Sequence, residues 1–167
     1  MEPDDTIWAI RHRAGEWDAS DIDQLIDLSK SHPDDPYLLD VLGDLSRVVK
    51  HPSLPDDFAF RCYTQAVAAD PSYSAAHLSL GYWHDTMGNL PDAKNHFLLA
   101  IASGSDEIAR VPLASVLAQL GDRTSAYVEL DKCVDSEDLD VSRMRTEIEN
   151  GQHDPLDIDL IECEPGG

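Results

Sequence analysis

Basic side chains are scarce in this sequence: 12 lysines and arginines stand against 33 aspartates and glutamates in 167 residues, a formal net charge of -21. A field this negative repels phosphate backbones, which are bound through cation-driven counterion release, so nucleic acid is excluded as a partner. Anionic lipid surfaces are disfavoured for the same reason. Cysteine is scarce too. Cys62, Cys133 and Cys163 are odd in number, widely spaced and without a C-x-x-C pair, which points to a reducing, cytoplasmic setting rather than a disulfide framework. No stretch approaches the roughly eighteen uninterrupted apolar residues of a membrane span, and the amino end has neither the basic nor the apolar region of an export signal. No G-x-S-x-G, H-E-x-x-H, phosphate-cradling glycine loop or dinucleotide fingerprint occurs, so no enzyme activity and no cofactor are expected.

What is present is helical periodicity. From about Asp5 to Asn150, apolar residues recur at helix spacing in blocks separated by short Gly, Pro, Asp and Ser punctuation, which predicts an all-α domain over residues 1–150. In one such block Leu90, Ala93, Phe97, Ala100 and Ile101 share a face, and Asn89 is placed to cap it. Asp35 followed by Pro36 supplies an N-cap and a first-turn proline. Gly88 and Gly121 each follow an apolar run and precede a polar residue, the pattern of a left-handed helix stop inside a tight helical hairpin. Residues 151–167 differ: Leu156-Asp157-Ile158-Asp159-Leu160-Ile161 alternates apolar and acidic side chains before Glu164-Pro165-Gly166-Gly167. An acidic, flexible tail is expected there; the sharper alternative is an arm that folds onto its own or a neighbour's groove.

The hairpins repeat. Ala59, Ala93 and Ala126 are 34 and 33 residues apart, and so are Tyr63, Phe97 and Leu130, and again Ala66, Ala100 and Cys133. Gly81 precedes Ala93, and Ala114 precedes Ala126, by 12 residues, whereas Gly43 precedes Ala59 by 16, so the first of these copies carries four extra residues around Lys50–Pro55. The small residues are expected where helix backbones approach closely, with Tyr63, Phe97 and Leu130 filling the gaps between copies.

The stretch from Ala76 to Ile101, with Leu80-Gly81, His84, Gly88-Asn89-Leu90, Ala93, Phe97 and Ala100, resembles a tetratricopeptide repeat, with His77 in place of the usual aromatic and His84 in place of the usual tyrosine. Asp70-Pro71 matches the closing proline of the preceding copy. The resemblance implies a right-handed superhelical solenoid of antiparallel helix pairs. Copies are expected at about 36–73, 74–106 and 107–140, with a weaker fourth at the amino end around Trp8-Ala9, Leu25, Leu28 and Pro33. Pro112 falls inside the first helix of the last copy and predicts a kink or a late start near Val111. Beyond Cys133, Ser136 is placed to cap a terminal helix over about 138–150 that seals the stack.

Two constellations invite a metal reading. His77, His84 and His96 fall in one copy, but no cysteine or third ligand at short metal spacing accompanies them, and packing explains them better. Asp138, Asp140, Ser142 and Glu149 mimic a calcium loop, yet Arg143 stands where glycine is needed, so a helix explains them better. No metal is expected. His84 and Asp85 point about 100° apart on a helix and form no acid–base pair.

By the resemblance, groove-facing places fall on Tyr37, Asp40, Asp44 and Arg47, then Ala75, Leu78, Tyr82 and Asp85, then Ile108, Val111, Ser115 and Gln119. Of the Lys, Arg and Asn with which family members grip carboxylate tails, Arg47 alone stands at these places. Asp40 and Asp44 favour a partner peptide or helix with Lys or Arg among apolar anchors. The expected function is a non-catalytic protein–protein interaction module. The alternative is a dedicated sequestering protein, a secretion-type chaperone or immunity-type inhibitor, holding one client; a homodimer is compatible with open repeat ends.

Overall fold

The computed structural model describes residues 3–12, 16–133 and 138–153. Helices are the only regular elements among them: α1 (Pro3–Arg11), α2 (Ala19–Ser31), α3 (Pro36–Val48), α4 (Phe58–Ala69), α5 (Ser74–Thr86), α6 (Leu90–Ala102), α7 (Asp106–Gln119), α8 (Arg123–Asp131) and α9 (Leu139–Glu149). The pairs α3/α4, α5/α6 and α7/α8 match the three expected copies, and α1/α2 stand where the weaker fourth was placed. The chain divides into two compact units, Met1–Ala109 and Arg110–Gly167, the division falling within α7. The tail expected over 151–167 lies, from residue 154 onward, outside the described residues.

Local chemistry sets the helix ends. Asp18 and Asp21 form a capping box on α2: Asp18 Oδ1 accepts from the Ser20 amide at 2.8 Å, and Asp21 Oδ2 accepts from the Asp18 amide at 2.9 Å. Asp35 Oδ1 accepts from the Leu38 amide at 3.0 Å with Pro36 in the first turn of α3. Asn89 does occupy the N-cap position of α6, but it makes no capping bond; its amide donates instead to Asp92 Oδ2 at 2.6 Å. Gly88 and Gly121 have φ of 72° and 83°, the left-handed conformation that only glycine adopts cheaply. That turn lets the following amides, Asn89 N and Asp122 N, reach back to His84 O and Leu117 O at 2.8 and 2.9 Å.

Two expectations near the carboxyl end need correction. α7 starts at Asp106, well before Val111, and runs through Pro112. The proline deletes one amide bond, the one to the Ile108 carbonyl, in a turn whose Ile108 side chain is 62% exposed. Burial of Ala109, Leu113, Ala114, Val116, Leu117 and Ala118 outweighs that single loss. The cap of α9 is Asp138, whose side chain accepts from the Asp140 amide at 2.7 Å; Ser136 lies outside the described residues.

In the first unit the core is layered by helix pair. Ile7 and Ile10 of α1 join Ile22 and Leu25 of α2 and Leu38, Val41, Leu42 and Leu45 of α3, with Cys62 of α4 closing the cluster. The core face of α1 is thus one residue off the Trp8-Ala9 expected from sequence: Trp8 is exposed and stacks on His12, ring centroids 4.5 Å apart. Burial pushes the Cys62 thiol up to about 12. The next layer joins Ala59 and Tyr63 of α4 to Leu80 of α5.

The glycine columns have a different cause from the one expected. A Cβ on Gly43 would lie 2.5 Å from Tyr63 Cε1, and one on Gly81 would lie 2.5 Å from Phe97 Cε1. What each glycine admits is an aromatic ring from the second helix of its own hairpin, not a neighbouring backbone. Tyr63 and Phe97 are both fully buried in these notches. Tyr63 also meets Leu80 of the following pair, so one ring serves both its own hairpin and the contact to the next.

The second unit is tied by charge as well as packing. Arg110 of α7 pairs with Glu129 of α8, which also accepts from Lys132 at 2.6 Å. Val141, Met144 and Ile148 are the buried stripe of α9, which packs on α8. Arg123 donates to the Ile148 carbonyl at the end of α9, where a cation meets the negative end of the helix dipole.

Candidate functional site

The first helices of the pairs carry the side chains expected to face a partner, and the structure sorts them into internal ties and accessible groups. Asp40 is an internal tie: it is 7% exposed, and its Oδ1 accepts from the Ser79 hydroxyl of α5 at 2.8 Å. Asp44, one turn further on, is exposed, and its Oδ1 accepts from the Tyr63 hydroxyl at 2.8 Å. Burial, and the Asp44 carboxylate beside it, push the Tyr63 phenol well above the ordinary tyrosine range, while Arg47 opposes that shift. The phenol therefore stays a donor and fixes the carboxylate. Tyr37, Leu78 and Asp85 are half-buried and Arg47 is exposed. Tyr82 is 38% exposed, its ring edge-on to Phe97 at 5.3 Å. In the second unit Ser115 is nearly buried, its hydroxyl 3.2 Å from His153 Nδ1 and 3.3 Å from the donating Gln119 amide, while Glu147 meets His153 Nε2 at 3.0 Å.

Asp44 opens onto a cleft of about 480 Å³ between α1 and α3, floored by Ile10, Val41 and Leu45 and walled by Trp17 and Val48. Trp17 is 44% and Val48 70% exposed. The Trp17 indole donates to the Ile10 carbonyl at 3.2 Å, which holds the ring at the mouth. Trp17, Val48 and this cleft are what sequence reasoning missed. The signal was there in Val48, an apolar side chain off the core stripe of α3, and in a tryptophan set just before the Asp18 cap.

The three histidines do come together, as a ladder of rings. His77 Nε2 lies 3.0 Å from the Pro71 carbonyl, an acceptor only, so that nitrogen carries a proton, and His77 Nδ1 lies 3.2 Å from His96 Nδ1. His84 stacks on His96 at 5.3 Å, and Phe60 joins edge-on to His84 and tilted by 31° to Trp83. Burial, then His77 and His84, hold the His96 imidazole below its ordinary value. Among the described residues no group of three or more His, Cys, Asp or Glu side chains is placed to hold a metal ion. Asp138, Asp140 and Glu149 belong to the cap and body of α9. No helix among the described residues is long and apolar enough to cross a membrane.

Antiparallel helix pairs in register, each with a glycine notch filled by its own ring in the α3/α4 and α5/α6 hairpins, define a helical repeat fold. Comparison with solved structures agrees. The chain is similar to the thermophilic TPR protein TTC0263 of Thermus thermophilus, with a TM-score of 0.67 at 17% identity over 91% of this chain and 82% of that one. The fold is that of a tetratricopeptide-repeat protein. No family model matches the chain, and no curated protein matches it.

Proposed function

We propose that the protein is a non-catalytic interaction module that binds a segment of a partner protein in the groove face of its first helices, with the α1/α3 cleft as the anchoring point. The observation that carries this reading is the cleft itself: an apolar floor, two exposed apolar walls and one exposed carboxylate held by a buried phenol. A volume near 480 Å³ suits one or two large side chains. Such a site takes a peptide or helix that buries a Leu, Phe or Trp beside Trp17 and Val48 and places a Lys or Arg on Asp44. The surrounding net charge of -21 steers a basic partner toward it. Asp40, committed to Ser79, supports the groove's geometry rather than its ligand.

The test is selection from a displayed peptide library, followed by affinity measurement on Asp44→Lys and Val48→Asp. Enrichment of Lys or Arg next to a large apolar residue, lost about tenfold or more in both variants while helicity is kept, is the expected result. Enriched peptides that bind both variants as tightly as the parent protein retire the reading.

A further inference from the structure

The four extra residues between α3 and α4 build something the groove reading leaves unused. The loop is pinned, not slack: His51 Nε2 meets Asp23 of α2 at 3.2 Å, its Nδ1 accepts from the Ser53 amide at 3.3 Å, and Leu54 packs on the core. Between this loop and the ends of α3 and α5 lies a cleft of about 510 Å³, with Phe58, Trp83 and Met87 as its apolar surface and Arg47 and Lys50 at its polar side. Among the described residues Asp56 is the one carboxylate lining it. In a chain with 33 acids to 12 bases, cations are normally taken: Lys30, Arg61, Arg110, Lys132, Arg143 and Arg145 are all in ion pairs. Arg47, Lys50 and Lys94 are in none among the described residues, and of these Arg47 and Lys50 share this cleft; Arg47 faces the neutral Tyr63 phenol.

We propose that this cleft is a second binding site, for a protein segment that carries carboxylates beside an aromatic or long aliphatic anchor. Charge complementarity selects the acid, since two cations without ion pairs stand together at the rim. The apolar lining selects the anchor: a bare anion would leave Phe58, Trp83 and Met87 uncovered in a cavity many times its size. Met87 is 60% exposed and available for such contact. The overall negative field opposes approach, but at about 150 mM salt it is screened beyond roughly 8 Å, whereas contacts inside the cleft are shorter than that. The site prefers the opposite charge from the Asp44 cleft; because Arg47 also reaches the Tyr63 phenol that holds Asp44, Lys50→Glu alone and Met87→Glu read this cleft without touching the first.

The experiment uses the full chain at about 150 mM salt and two labelled, amidated probes, Glu-Glu-Trp-Glu-Leu and Lys-Lys-Trp-Lys-Leu, read by fluorescence anisotropy. The acidic probe is expected to bind and to lose about tenfold or more in affinity with Lys50→Glu, and again with Met87→Glu, while Asp44→Lys does not weaken it. The exposed positions of all three residues leave the helical circular dichroism intact. Binding of the acidic probe that is absent, or indifferent to Lys50→Glu, overturns the proposal. Complete displacement by millimolar inorganic phosphate overturns it too, because it reduces the cleft to an anion site without an anchor. Loss of the basic probe alone in Asp44→Lys bears on the first cleft and leaves this one standing.

Discussion

A ring in a notch is the smallest unit of this structure. Gly81→Ala gains helix propensity worth about 1 kcal/mol but drives a methyl to 2.5 Å from Phe97, and overpacking of this kind costs roughly 1–3 kcal/mol. The buried ring has little room to move, so the net effect is a lower melting temperature, with partial recovery in Gly81→Ala plus Phe97→Leu; an unchanged melt for the single variant counts against the notch. Ala93, fully buried, is expected to tolerate arginine worst, at more than about 3 kcal/mol. Tyr63 adds a pH effect. Its folded phenol is held protonated, so its share of stability is complete below the unfolded value of about 10 and is lost as pH climbs past it; Tyr63→Phe flattens that alkaline loss in a series of melts. Cys62, pushed up to about 12, is expected to resist iodoacetamide in the native protein at neutral pH and to react once unfolded, as peptide mass mapping will show.

At the scale of helices, the α5/α6 hairpin carries the acid-sensitive element. His96 has a depressed folded value, so its contribution is full above the unfolded value of about 6.5 and is lost as pH falls. The wild-type protein is therefore expected to lose more melting temperature between pH 7.5 and pH 5 than His96→Gln; equal losses would remove the ladder as the cause. α7 offers the opposite test. Pro112→Ala restores an amide donor inside the helix and is expected to stabilise by about 1–3 kcal/mol, read from denaturant midpoints. Helix limits were largely legible in the sequence because they rest on local chemistry: Asp35-Pro36, Gly88 and Gly121 act within a turn of themselves. The start of α7 was not, because burial of Ala109 and of Leu113 through Ala118 overrides one local breaker. The bond that Asp40 accepts was not legible for the same reason. Nothing within a turn of it announces Ser79, 39 residues away, whose hydroxyl turns a groove acid into a buried brace.

Across the whole chain, two facts dominate: the repeat and the charge. The repeat was legible at 17% identity to a solved relative in fold, because a period of 33 or 34 residues survives when the residues that fill it change. The clefts were not legible. They are made of spaces between side chains, and spacing along the chain does not report them. The charge has its own consequence. With 33 acids against 12 bases, repulsion outnumbers the ion pairs that salt would weaken, so raising ionic strength from about 10 mM to about 200 mM is expected to raise the melting temperature. A fall instead would mean that the local pairs dominate.

The notch and the ring that fills it sit in one hairpin, Gly43 with Tyr63 and Gly81 with Phe97. Each of these pairs of helices is thereby a cassette with its own lock and key. Duplicating or deleting one transfers both halves together, so the array can grow or shrink by whole hairpins without parting an aromatic from the glycine that admits it.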